Sequence, residues 1–242
     1  MTRRLFRPLL LVAALGMSMP AAAVDCVVLL HGLARTERSM ALLEQAFIAG
    51  GYAVANVSYD SREHPVRTLA DAAIPAGLAT CAARDPGRVH FVTHSLGGIL
   101  LRDYLVRHEF AALGRVVMLA PPNQGSEIVD WLGSNGLFAS LMGPAALELG
   151  TGDSALPRLL GPVTYSVGVI AGTRTIDPIG SMLLPDPDDG KVSLQRTKIE
   201  GMADFLVVPV SHSFIMRDAG VIRQALAFIA TGAFDHGTGG AT

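Results

Sequence analysis

Val89-His90-Phe91-Val92-Thr93-His94-Ser95-Leu96-Gly97-Gly98 is the stretch that decides how this chain folds. Residues 89–92 read as a short strand, and residues 96–108 carry Leu100, Leu101, Tyr104 and Leu105 at helical spacing. Ser95 therefore sits in a tight strand-to-helix turn. A serine held there has its hydroxyl thrust out at the sheet edge, and small neighbours are needed because the backbone passes close to itself. The helix that begins at Leu96 aims unpaired N–H groups and its positive dipole end at the same point. Such a place favours an oxyanion, with the Leu96 N–H as its first donor. Serine is also a common helix cap, but a cap requires neither Gly97-Gly98 nor the preceding strand. Ser95 is read as a nucleophile.

Working outward, the same alternation recurs. Residues 27–30 form a continuous apolar run ahead of His31-Gly32, and residues 52–59, 116–119, 163–170 and 205–208 read as further strands. Helical spacing appears over residues 40–48, 68–82 and 221–229, with Pro75 expected to kink or divide the second of these. Alternating strands and helices predict an α/β fold, a mainly parallel sheet with helices on both faces. Apolar runs such as 27–30 suit strands buried on both sides. After Asn123 the regularity breaks. Residues 123–162 are rich in Gly, Pro and Ser yet hold several large apolar side chains, and a loop of that length without a function is uncommon in a compact domain.

Composition narrows the partners. The chain has 242 residues, 50% hydrophobic and 17% charged, with a formal net charge of −2, so no basic field invites nucleic acid. Residues 1–23 read as a secretory signal: Arg3, Arg4 and Arg7 precede an apolar stretch over 9–19, and Pro20 leads into Ala21-Ala22-Ala23. The stretch is too short to span a bilayer. Cleavage is expected near Ala22 or Ala23, leaving one domain over residues 24–242 in a periplasmic or extracellular setting. Asp25 directly before Cys26 argues against a lipoprotein site. Cys26 and Cys81 both survive cleavage, and an oxidising compartment favours a disulfide between them, the alternative being two buried thiols. No internal repeat is visible, and no metal-ligand spacing links the cysteines and histidines. No metal or cofactor is expected.

Four separated motifs give the chain a family likeness. His31-Gly32-Leu33 follows the first core strand, His94-Ser95-Leu96-Gly97-Gly98 the third, Asp189-Gly190 a late one, and His212 the last. In this order the chain resembles the α/β-hydrolase superfamily in its bacterial lipase and esterase branch, from about Cys26 to Ile229. Thr93 departs from that pattern, standing where G-x-S-x-G has its first glycine. The resemblance implies a triad of Ser95, His212 as base and Asp189 as acid, with Asp188 as the alternative one residue away. It implies Leu33 N–H as the second oxyanion donor, with His31 bracing that loop. Pro121-Pro122-Asn123-Gln124-Gly125-Ser126 resembles the entry to a cap, making residues 123–162 a cap or lid insertion. Trp131, Leu132, Leu137, Phe138, Leu141 and Met142 would then form a wall for an acyl chain, unless they simply pack on the sheet.

The activity so implied is secreted serine hydrolysis of carboxylic esters, lipid-like ones above all, through an acyl-enzyme at Ser95. The partner is a small-molecule ester or lipid, with transient contact to a lipid surface. A thioesterase or acyltransferase would use the same triad, and a non-catalytic lipid-binding protein could share the fold. Retention of all three triad residue types argues against the last.

Overall fold

The computed structural model describes residues 23–133 and 135–237. The expected signal over residues 1–23 falls, except for Ala23, outside the described residues. Six strands run through the chain: β1 (Cys26–Leu30), β2 (Ala53–Val57), β3 (Val89–His94), β4 (Leu113–Leu119), β5 (Val167–Gly172) and β6 (Asp204–Val208). They form one sheet in the order β2-β1-β3-β4-β5-β6, parallel at every pairing. The strand leading to Ser95 is therefore internal, flanked by β1 and β4.

The helices follow from this connectivity, since parallel neighbours need crossovers. The long ones are α1 (Ala41–Ala49), α2 (Val66–Ala82) and α3 (Leu96–Arg107), with α10 (Ala219–Thr231) last in the chain. Strand side chains alternate between two cores, as the period of two demands. Val28, Leu30, Phe91, Val116 and Met118 pack with α2 and α3. Val27, Leu29, Val92, Val117 and Leu119 pack with α1 and α10. All five residues of β1 are buried, which accounts for its unbroken apolar run.

Two local expectations change. Pro75 does not divide α2, which runs unbroken through it. Pro75 and Asp71, the residue whose carbonyl it cannot reach, are both exposed, so water can take the freed acceptor. The expected strand over 163–170 instead begins at Val167. Val163 N donates to Glu200 O, outside the sheet ladder.

Residues 123–162 are structured. They hold four short helices, α4 (Glu127–Leu132), α5 (Gly136–Met142), α6 (Pro144–Leu147) and α7 (Leu156–Leu159). Two more short α-helices, α8 (Pro178–Ser181) and α9 (Leu194–Thr197), come before α10. Arg102 of α3 fastens the segment at both ends. Its guanidinium donates to Asn123 O (2.8 Å), Pro157 O (2.9 Å) and Gly161 O (2.8 Å).

Cys26 and Cys81 form a disulfide with Cα atoms 5.7 Å apart, joining the start of β1 to the end of α2. Among the described residues, no helix is long and apolar enough to cross a membrane.

Candidate active site

Ser95 has φ +50° and ψ −118°, a conformation that costs a non-glycine residue on the order of 1–3 kcal/mol. Neighbouring hydrogen bonds hold it there: Ser95 N donates to Leu119 O (2.9 Å) and Gly98 N donates to Ser95 O (3.0 Å). The glycines that follow are required by contact. A Cβ on Gly97 would lie 2.6 Å from Leu30 O, so any side chain there would push α3 off the end of β1. Gly98 explains the departure at Thr93. Its missing Cβ leaves space beside Thr93 Oγ1, 3.3 Å from where that atom would stand. The threonine is fully buried against the helix without displacing it.

His212 enters from the loop after β6. Its Nε2 lies 3.0 Å from Ser95 Oγ, and its Nδ1 lies 2.8 Å from Asp189 Oδ2. The other carboxylate oxygen of Asp189 accepts from Lys191 N (3.0 Å) and Val192 N (2.8 Å). With Asp189 occupied on both oxygens, Nδ1 of His212 carries the proton and Nε2 presents its lone pair to the serine hydroxyl. Such an arrangement can accept a proton from Ser95 as the hydroxyl attacks. Asp188 points elsewhere: its oxygens accept from Ser181 Oγ and Gly190 N, both at 2.6 Å, and brace the turn. Of the two adjacent carboxylates, Asp189 is the one in contact with His212.

His94 ties two of these parts together. It is buried, and its Nε2 donates to the carbonyl of His212 at 3.1 Å. Burial, reinforced by the facing His212 ring, holds its pKa well below the usual histidine value, so it acts as a neutral donor. His31 stacks on Tyr59 with ring centroids 3.9 Å apart, and the Tyr59 hydroxyl donates to the His31 carbonyl. Ala34 N donates to Ser61 Oγ at 2.9 Å. These contacts fix the loop that carries Leu33 beside Ser95. Leu33 faces the cavity, and Leu96 opens α3 directly after Ser95.

A cavity of about 470 Å³ opens on Ser95 and His212. The residues expected to bind an acyl chain divide sharply. Leu132 and Met142 line the cavity, whereas Trp131, Leu137 and Leu141 are 64%, 69% and 56% exposed and do not. The Phe138 side chain lies outside the described residues. Helix geometry accounts for the division. Ile128, Val129 and Leu132 occupy the inner face of α4 and leave Trp131 on its outer flank. In α5 Leu137 and Leu141 share the outer face at i, i+4, and Met142, one position on, turns inward. Leu149, Val192, Arg35 and Lys191 also line the cavity and were not anticipated from the sequence. The spacing of Ile128 and Val129 ahead of Leu132 is the signal that could have found the rest of the α4 wall. Among the described residues no group of histidine, cysteine or carboxylate side chains could hold a metal ion.

Comparison with known proteins agrees with this architecture. A model of an alpha/beta hydrolase family matches residues 27–230. No curated protein sequence matches the chain. Among solved structures, the mature form of the Bacillus licheniformis lipase BlEst2 superposes with a TM-score of 0.68 at 20% identity, covering 88% of this chain and 93% of the lipase. The phospholipase PlaB from Legionella pneumophila, solved with thio-NAD, gives 0.64 at 21% identity over 84% of this chain. This chain spans only 56% of that phospholipase. The metagenomic carboxyl esterase MGS0156 gives 0.58 at 22% identity, covering 83% of this chain and 69% of the esterase. At such identities the likeness is one of fold.

Proposed function

The chain belongs to the alpha/beta hydrolase family, and from that membership we propose that it is a serine hydrolase cleaving carboxylic esters of lipid-like acids. The observation that carries the reading is the continuous hydrogen-bonded chain from Ser95 Oγ through both nitrogens of His212 to Asp189 Oδ2. In this reading His212 takes the Ser95 proton as Oγ attacks the ester carbonyl, and Asp189 stabilises the imidazolium that results. The tetrahedral oxyanion is received by the backbone N–H groups of Leu33 and Leu96. Collapse expels the alcohol, which takes its proton from His212. Water then attacks the acyl-enzyme with His212 again as base, and Ser95 is regenerated.

The apolar wall contributed by Ile128, Val129, Leu132, Met142 and Leu149 supports an acyl chain as the part of the substrate held in the cavity. Residues 123–162 serve as that wall. Export through residues 1–23 completes the proposal. The Cys26–Cys81 disulfide supports it, because such bonds persist in oxidising compartments.

The test is covalent labelling with a fluorophosphonate, followed by hydrolysis of p-nitrophenyl esters from acetate to palmitate. Wild-type protein is expected to label and Ser95→Ala to remain unlabelled, with turnover rising for acyl chains that fill the apolar wall. A folded wild type that neither labels nor turns over any ester would leave a lipid-binding protein in its place.

A further inference from the structure

We propose that Arg35 selects acyl esters whose alcohol portion carries an anionic group; the inference deepens the hydrolase reading above and rests on it. Arg35 lines the same cavity as Ser95 and His212, two residues beyond Leu33. It and Lys191 are the cationic side chains of that lining, and no aspartate or glutamate contributes to it among the described residues. The two cations differ. Lys191 Nζ lies 2.6 Å from Asp177 Oδ2 and is neutralised there. The Arg35 guanidinium has no hydrogen bond or ion pair to any described residue.

The carboxylates that might have answered Arg35 are engaged elsewhere. Asp189 is held by His212 and two backbone amides, and Glu37 accepts from Ser58 Oγ. The charge of Arg35 nevertheless reaches the centre of the site, where it contributes to the depressed pKa of His94. An uncompensated guanidinium in a partly enclosed, largely apolar cavity is worth more to an anion than the same group in open water.

The apolar wall and the cation of the cavity come from different parts of the chain. Ile128, Val129, Leu132 and Met142 of α4 and α5 make the apolar wall, whereas Arg35 belongs to the loop after β1. In this proposal an ester whose acyl chain lies on that wall directs its alcohol side to the loop. A phosphate, sulfonate or carboxylate on that side meets the free guanidinium. Two sources share this chemistry, a soluble acidic ester and the headgroup of an anionic phospholipid.

The experiment measures selectivity in wild type, Arg35→Gln and Arg35→Lys. One substrate pair is 4-sulfophenyl butyrate against neutral 4-(methylsulfonyl)phenyl butyrate. The other is monomeric dihexanoyl phosphatidylglycerol against uncharged 1,2-dihexanoylglycerol. Arg35→Gln is expected to lower the anionic-to-neutral ratio of kcat/KM by about tenfold in at least one pair, the worth of one charge-assisted hydrogen bond. Arg35→Lys should restore most of it. A fall confined to the phospholipid pair assigns a headgroup, and one confined to the phenyl pair a soluble acidic ester. An unchanged ratio in both pairs, with Ser95 still labelled by a fluorophosphonate, overturns the role of Arg35 alone. Loss of labelling in the wild type overturns the hydrolase reading and this inference with it.

Discussion

Arg102 and Asn123 are joined twice, the guanidinium donating to the Asn123 carbonyl at 2.8 Å and to its side-chain oxygen at 3.3 Å. Burial pulls the pKa of Arg102 down from 12.5 to about 10, and its hydrogen-bond partners are carbonyl oxygens with no carboxylate among them. A buried charge held this way is justified by the acceptors it satisfies. Arg102→Met keeps the apolar stem and strands the carbonyls of Asn123, Pro157 and Gly161. The expected cost is about 3 kcal/mol, or a fall of roughly 10 °C in Tm for a domain of this size. Thermal and urea unfolding measure it. A Tm within about 2 °C of wild type would remove Arg102 as the fastening of the segment.

Adjacent carboxylates should behave differently. Asp189→Asn is expected to lower kcat on p-nitrophenyl butyrate by on the order of 10⁴, because an amide no longer stabilises the imidazolium or enforces the tautomer. Asp188→Asn should retain activity within about tenfold and show its effect in stability, through the turn bonds to Ser181 and Gly190. Matched kinetics and melting curves distinguish the two, and a reversal of the pattern would reassign the acid.

Thr93 offers a stabilising change. Its hydroxyl is fully buried and has no hydrogen-bond partner among the described residues. Thr93→Val keeps the shape that fits beside Gly98 and deletes that hydroxyl. A gain of about 1 kcal/mol is expected in urea unfolding. A loss of similar size would show that the hydroxyl finds a partner in solution.

Acid should weaken the fold before it touches the carboxylates. Burial lowers the pKa of His31, His90 and His94 below the ordinary histidine value. The unfolded chain therefore takes up protons that the folded protein refuses, and stability rises with pH across that interval. The contribution of these three is complete above about pH 6.5 and is lost as pH falls towards their folded values. Melting temperatures between about pH 4.5 and 8.5 should show a plateau on the alkaline side and a decline on the acid side. A Tm that climbs on acidification would contradict the burial of these rings.

The disulfide closes a separation of 55 residues. Chain-entropy arguments give it about 4 kcal/mol. The double variant Cys26→Ala, Cys81→Ala is expected to lose about that much in urea unfolding while the site, built at the opposite ends of the strands, keeps its labelling.

The inner sheet was legible because strands such as β1, β3 and β5 are buried throughout and leave continuous apolar runs, as at Val27 to Leu30. The turn at Ser95 was legible because a side chain on Gly97 would collide with Leu30 O. The reach of α2 through Pro75 was not, since whether a proline interrupts a helix depends on which face it occupies. The apolar lining of the cavity was only partly legible, because the presence of large apolar residues does not tell the inner face of a four-to-seven-residue helix from its outer one. Trp131 and Leu137 are exposed, whereas Ile128 and Val129 line the cavity. Arg35 carried no signal of its own, because an unpaired charge is a property of what surrounds it.

Because the ring of His94 grips the carbonyl of His212, the residue preceding the hydroxyl and the residue bearing the imidazole are mechanically one piece. A bulky guest that spread α4 and α5 would deform the far wall and leave the oxygen-to-nitrogen spacing unaltered. Under the proposed function, substrates of varied girth would then meet a proton relay of constant stride.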